Sequence, residues 1–250
     1  MKKVKFEELI LTLPNNLNEV MHCFSDLLSV NNSKNRIGFI NPEILLSCMK
    51  DSELYYYYKE NYYNFVDGIG LIKAINKKLK LKYSYQNRFT GTDFFLYLPN
   101  IPIRVFLFGS TVVNIENAKK NIENKYNHVK IVGAISGYGY KNTDVVDEIN
   151  KVDPDIVIVC LGFPKQEMWI SEYQNKIKCK LVFGNGGAID FWSNKVKRAP
   201  VFIQKMNLEW FFRLVTNFTF IRLKRQVKLI KFYIMYNIHR YNIYEDNTTY

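Results

Sequence analysis

Four short apolar runs, each closing on or just before glycine and each separated from the next by a stretch of helical periodicity, constrain this chain more than any other feature. Residues 104–108 (RVFLF) end at Gly109-Ser110 and 129–133 (VKIVG) lead to Gly137-Tyr138-Gly139. Residues 155–161 (DIVIVCL) end at Gly162, and 180–183 (KLVF) end at Gly184-Asn185-Gly186-Gly187. The segments between them, 112–125, 143–151 and 165–176, read as helices. Strands that are apolar along their whole length and alternate with helices belong to a parallel sheet covered on both faces. The expected fold class is therefore α/β, a Rossmann-like parallel sheet with helices on both faces. Its glycines collect at the carboxyl ends of the strands, where open α/β sheets bind ligands and where backbone N–H groups approach phosphates. A nucleotide site is the natural expectation there. The signal is modest, because neither G-x-G-x-x-G nor G-x-x-x-x-G-K-[ST] occurs, and each glycine alone is explained by a tight strand-to-helix turn.

The N-terminal third is less regular. Asn41-Pro42-Glu43 has the chemistry of a helix start, so capping explains Asn41 as well as ligand contact does. Asp67-Gly68-Ile69-Gly70 precedes a helix expected over 69–79, and taken alone Asp67 reads as its N-cap. Arg88-Phe89-Thr90-Gly91-Thr92-Asp93 sets a guanidinium and two hydroxyls beside a flexible glycine, which suits a polyphosphate contact or a surface turn. The tyrosine run Tyr55 to Tyr58 reads as compositional bias or core.

At 250 residues and 48% hydrophobic, the chain has material for one large domain with a small appendage. The longest uncharged run, Val105 to Ile115, is far shorter than the roughly 18 apolar residues of a membrane-spanning helix. The start carries neither a long apolar stretch nor a small-residue cleavage site, so a secreted product is not expected. The cysteines Cys23, Cys48, Cys160 and Cys179 lie far apart, which predicts buried free thiols in a reducing compartment. His22, His128 and His239 lack the spacing of a metal site, and no metal is expected. The net charge of +12 is lopsided: residues 195–244 hold eleven Lys or Arg against one acid, Glu209. The expected division is an α/β domain over 1–200 and a basic appendage over 201–250, facing an anionic partner. Phe220, Leu223, Val227, Ile230 and Ile234 fall at helical spacings of three and four, with Arg222, Lys224, Arg225, Lys228 and Lys231 among them. Such a basic amphipathic helix either lies in a membrane interface or docks its stripe on the domain.

Several of these strings, in order, resemble the WecG/TagA/CpsF group of bacterial glycosyltransferases. They are Asn41-Pro42-Glu43-Ile44, Asp67-Gly68-Ile69-Gly70 and Arg88 to Asp93. They continue with Gly162 to Ile170 (GFPKQEMWI), Phe183 to Phe191 (FGNGGAIDF), Arg198-Ala199-Pro200 and Leu208 to Leu214 (LEWFFRL). The resemblance covers roughly residues 38 to 214. It implies an inverting transfer of N-acetylmannosamine or a related hexose from a UDP-sugar to an undecaprenyl-diphosphate-linked saccharide in cell-surface polysaccharide synthesis. It further implies that Asp67 is the general base, with Gln166 and Arg213 as the other catalytic groups and Arg213 approaching the diphosphate. Asn41, Arg88, Thr90, Gly137, Tyr138, Gly162, Lys165, Gly186, Gly187 and Asp190 would bind substrate, Asp190 and the glycines near 186 taking the uridine part. The implied enzyme uses no metal or other cofactor. It works in the cytoplasm, peripherally on the inner face of the membrane through Arg222, Lys224, Arg225, Lys228 and Lys231, and members of the group often associate as homo-oligomers.

Three positions depart from the group's pattern. Phe39 stands where a Thr is usual, Ser136 replaces a Pro, and Asn217-Phe218-Thr219-Phe220 replaces a Glu-Pro-x-Arg string. The alternative from another class is a non-catalytic module for anionic lipid or nucleic acid, driven by the basic window alone. A nucleic-acid partner is not expected, because the glycine-rich strand ends and Asp67 would have no use in such a module.

Overall fold

The computed structural model describes residues 1–29, 35–84, 87–206, 208–216, 227, 228, 230, 232, 234, 236 and 241–246. Strands β1 (Lys2–Phe6) and β2 (Leu9–Leu13) form a hairpin, followed by α1 (Leu17–Ser29), β3 (Asn35–Ile40), α2 (Pro42–Cys48), α3 (Ser52–Lys59), β4 (Tyr63–Val66) and α4 (Ile69–Leu79). A 3-10 segment, Gly91–Tyr97, leads into β5 (Ile103–Gly109), α5 (Val112–Lys125), β6 (Val129–Ile135), α6 (Asn142–Val152) and β7 (Ile156–Cys160). The chain continues through α7 (Lys165–Tyr173), β8 (Leu181–Gly184), α8 (Ile189–Trp192), α9 (Val201–Lys205), α10 (Glu209–Thr216) and β9 (Ile243–Glu245).

The sheet runs β6-β5-β7-β8-β3-β4-β2-β1-β9, with every pairing from β6 to β2 parallel and β1 and β9 antiparallel. Its central strands are apolar on both sides because both sides are covered. In β5, Phe106 and Phe108 enter one core while Val105 and Leu107 enter the other. In β7, Val157 and Val159 separate from Ile156 and Ile158 in the same way.

The four expected strands and the helices over 112–125 and 69–79 are all present. The helix expected over 165–176 ends at Tyr173, where a turn carries the fully buried Ile177 back onto the core. The irregular N-terminal third supplies β3 and β4, which extend the parallel sheet past β8. Cys23, Cys48 and Cys160 are buried free thiols and Cys179 is half-buried.

The C-terminal segment departs most from expectation. The described part of the stripe does not dock: Val227, Ile230 and Ile234 are 59%, 60% and 53% exposed. The buried side chains are instead Phe232 and Tyr236, on the other side of the segment. Phe232 lies within 6.2 Å of the Phe6 ring and stacks on Tyr236 and Tyr241, while the Tyr236 hydroxyl donates to the Ala74 carbonyl at 3.0 Å. Two aromatic rings bury more apolar area than Val and Ile, and the tyrosine finds a backbone acceptor. The chain then returns to the sheet, with β9 pairing Phe6 to Ile243 and Val4 to Glu245. Residues past 200 therefore belong in part to the same sheet as residues 2–6. Lys228, expected at the membrane, pairs with Glu43 at 2.7 Å, whereas Phe220, Leu223, Arg222, Lys224, Arg225 and Lys231 lie outside the described residues.

Phe232→Ala should lower unfolding free energy by about 3–5 kcal/mol in urea titrations, because it empties a packed aromatic site. Ile230→Ser, on the exposed side of the same segment, should change it by no more than about 0.5 kcal/mol.

Candidate active site

The carboxyl ends of β7, β8, β3 and β4 lie side by side, and the loops leaving them bring together most of the motif residues. Asn41 follows β3 and Asp67 follows β4, with Ile40 and Val66 in register. The Asp67 N–H donates to the Ile40 carbonyl at 2.7 Å, which ties the two loop starts together. Asn41 is the N-cap of α2, its Oδ1 accepting from the Ile44 N–H at 3.0 Å, so the capping role holds for this residue. It does not hold for Asp67, because the N-cap of α4 is Gly68, whose φ of 94° suits glycine. Asp67 is left half-exposed at the strand end.

Gln166, near the start of α7, is 6% exposed and its amide is committed at both ends. Its Oε1 accepts from the N–H of Gly162 at 3.2 Å and of Gly186 at 2.9 Å, and its Nε2 donates to Glu167 Oε1 at 3.0 Å. One amide thus clasps the loop after β7 to the loop after β8. A side chain at Gly186 would meet Gln166 Oε1 and the Gly162 backbone at 2.8 Å, so only glycine allows the two loops this approach. Gln166 was expected as a catalytic group; its polar atoms here hold the loops.

Glu167 is 2% exposed and accepts a second hydrogen bond from the Tyr58 hydroxyl at 2.9 Å. Burial raises its carboxyl above the ordinary value, against the lowering effect of hydrogen bonds from Gln166, its own backbone and Tyr58. The tyrosine run divides accordingly: Tyr57 and Tyr58 are core, whereas Tyr56 is exposed.

The 88–93 segment joins this end of the sheet through Asn185, whose Nδ2 donates to the Gly91 carbonyl at 2.9 Å. Its expected substrate contacts are engaged internally. Thr90 is 6% exposed and donates to Asp93 at 2.9 Å, and Asp93 is gripped by both terminal nitrogens of Arg198. Arg88 Nη2 meets Glu209 Oε2 at 2.6 Å, with both side chains 8% exposed. This pair fastens α10 to the 88–93 segment. Arg213 follows Glu209 by one helical turn on α10, and its side chain lies outside the described residues.

The remaining expected residues lie around the rim. Lys165, Gly187 and Tyr138 are exposed, the last at 73%. Gly137 packs its backbone against Gly109 and Ser110, joining the loops after β5 and β6. Asp190, on α8, pairs with Lys195 at 3.3 Å. Phe39 is buried among Phe65, Phe89 and Phe183 and adds no polar group to the site. Among the described residues no three His, Cys, Asp or Glu side chains gather as metal ligands. Asp155 lies at the opposite, amino end of β7, taking the Arg104 N–H and pairing with Lys180.

Sequence reasoning did not single out Glu167, Tyr58, Asn185 or Glu209 as site residues. Glu209 carried one visible signal, being the lone acid among eleven cations.

The chain matches the model of the glycosyl transferase WecG/TagA/CpsF family over residues 10–244. It is 34% identical to the N-acetylglucosaminyldiphosphoundecaprenol N-acetyl-beta-D-mannosaminyltransferase of Bacillus subtilis (strain 168), over 72% of this chain and 71% of that protein. Proteins of the same description from Bacillus spizizenii and Staphylococcus aureus (strain NCTC 8325 / PS 47) are 32% and 28% identical, over 74% and 73% of this chain and 73% of each relative. With a carboxylate, glycine loops and a docked C-terminal helix converging on one end of the sheet, and with the match spanning almost all of its length, the chain belongs to the WecG/TagA/CpsF family of glycosyltransferases.

Proposed function

We propose that this glycosyltransferase moves N-acetylmannosamine or a related hexose, with inversion, from a UDP-sugar to an undecaprenyl-diphosphate-linked saccharide. The observation that carries the reading is the convergence at one sheet end: Asp67 beside Asn41, the two glycine loops clasped by Gln166, and α10 fastened there by Arg88 and Glu209. The names of the relatives supply the acceptor class and the sugar.

In this mechanism the Asp67 carboxylate takes the proton of the acceptor hydroxyl as that oxygen attacks the anomeric carbon. The bond from that carbon to the UDP oxygen breaks, and UDP leaves with an added negative charge. Backbone N–H groups of the glycine loops and Arg213, one turn along α10 from Glu209, are the donors available to that charge. The proposal uses no metal. Arg88 acts by holding α10 in place, and Asp190 with the Gly186 loop takes the uridine part.

A polyprenyl-linked acceptor stays in the bilayer, so the enzyme must work at the inner membrane surface. No helix among the described residues is long and apolar enough to cross a membrane. Val227, Ile230 and Ile234 offer an exposed apolar stripe, and Phe202 on α9, Met206 just after it and Phe211 on α10 are exposed as well. Each Lys or Arg near an anionic surface adds about 1 kcal/mol. Lys228 is engaged with Glu43, so this contribution falls to the neighbouring Lys224 and Arg225 of the sequence.

Saturating UDP should stabilise the protein by about 2.7 kcal/mol at 100 times its dissociation constant, while NAD does nothing. A thermal shift that ignores millimolar UDP would overturn the donor assignment. Asp67→Asn should slow transfer by about 10²–10⁴-fold with UDP binding little changed, measured as UDP release with a short-chain polyprenyl-diphosphate saccharide. Normal turnover in this variant would remove Asp67 as the base. Replacing Val227, Ile230 and Ile234 with serine should weaken co-sedimentation with anionic liposomes and leave the UDP thermal shift intact; unchanged sedimentation would sink the membrane role.

A further inference from the structure

We infer that Glu167 is a positioning residue for the donor site: with Tyr58, it sets the orientation of the Gln166 amide and thereby holds together the two glycine loops that receive the UDP diphosphate. The inference rests on the proposed donor reading and adds a residue to its machinery.

A side-chain amide has nearly the same shape in its two flipped orientations, so the polar partners at each end decide between them. At one end of Gln166 stand two backbone N–H groups, those of Gly162 and Gly186, and both require an acceptor. At the other end stands Glu167 Oε1. The flipped amide would set an NH2 against two N–H donors and an oxygen against a carboxyl oxygen. Each mismatch leaves polar groups that water reaches poorly without a partner, which disfavours the flipped form. Glu167 therefore acts on the loops without touching them, by leaving Gln166 only one orientation that satisfies its surroundings.

The partners of Glu167 lie on one side. Oε1 takes both the Gln166 and the Tyr58 hydrogen bonds, while Oε2 accepts none from any described residue. A carboxyl kept only for core stability would gain nothing from this arrangement, since a buried charge is costly and an apolar side chain of similar volume is often as stable. Tyr58 is 2% exposed and comes from α3, so the contact also fixes α7 against a second helix.

Loss of the clasp removes the acceptor that ties the Gly162 and Gly186 N–H groups together, so the loops after β7 and β8 can separate, and a donor site that must reorder these loops binds less tightly. The geometry of the clasp makes Gln166 and Glu167 a coupled pair. Substitutions at coupled residues are not additive, whereas two independent structural defects add.

The test is a double-mutant cycle on Gln166→Leu and Glu167→Leu, read by UDP affinity in calorimetry and by hydrogen exchange of segments 160–167 and 183–188. Glu167→Leu should weaken UDP about tenfold and speed exchange in both segments. It should add little in the Gln166→Leu background, and Glu167→Gln, which keeps an acceptor for Gln166 and Tyr58, should recover most of the loss. Additive losses, or a Glu167→Leu protein that binds UDP and exchanges like the parent, would overturn the inference. Failure of the unmutated protein to bind UDP would instead overturn the donor reading, and the exchange data would still decide the role of Glu167.

Discussion

Arg88 and Glu209 lie 121 positions apart, yet their side chains meet at 2.6 Å with 8% of each exposed. Withdrawing two charges from water costs several kcal/mol per ion, and a pair like this persists only where geometry and further hydrogen bonds offset that cost. Removing either partner would take away the opposite charge that the other faces in this buried contact. The 88–93 segment and α10 therefore stand or fall together. Since the same segment reaches the β8 loop through Asn185 and Gly91, and reaches Arg198 through Asp93, one ion pair joins the C-terminal helix to the strand-end loops.

The loops themselves are held by side chains that the motifs suggested for substrate. Gln166 spends its amide on Gly162, Gly186 and Glu167, Thr90 spends its hydroxyl on Asp93, and Asn41 spends its carbonyl oxygen on a helix cap. The side chains of Gln166, Thr90 and Asn41 are thus occupied in holding loops, while Asp67 stands half-exposed at the end of β4. This division suits a transfer in which the protein supplies one base and a preorganised set of donors for a leaving diphosphate.

The C-terminal segment shows how far periodicity reaches. Spacings of three and four identified Val227, Ile230 and Ile234 as one face, and they do lie on one exposed face. Periodicity defines faces, but which face is buried depends on what the rest of the chain presents. Here Phe6, Tyr241 and the carbonyl of Ala74 present an aromatic site with one acceptor, which selects Phe232 and Tyr236.

The sequence by itself determined the alternating β5 to β8 region, the glycines at its strand ends and the helix over 112–125, because these follow from contacts between residues close in the chain. The ordered motifs likewise made the family legible before any contact was known. The tertiary structure alone decided the pairing of β9 with β1, the Arg88–Glu209 ion pair and the Gln166 clasp with its Glu167 and Tyr58 supports. Glu209 reads in sequence as one acid in a basic tail, and Tyr58 as one tyrosine in a run of four. Their roles come from burial beside a partner more than a hundred residues away, and no local pattern of polarity encodes which distant group will be there when water is excluded.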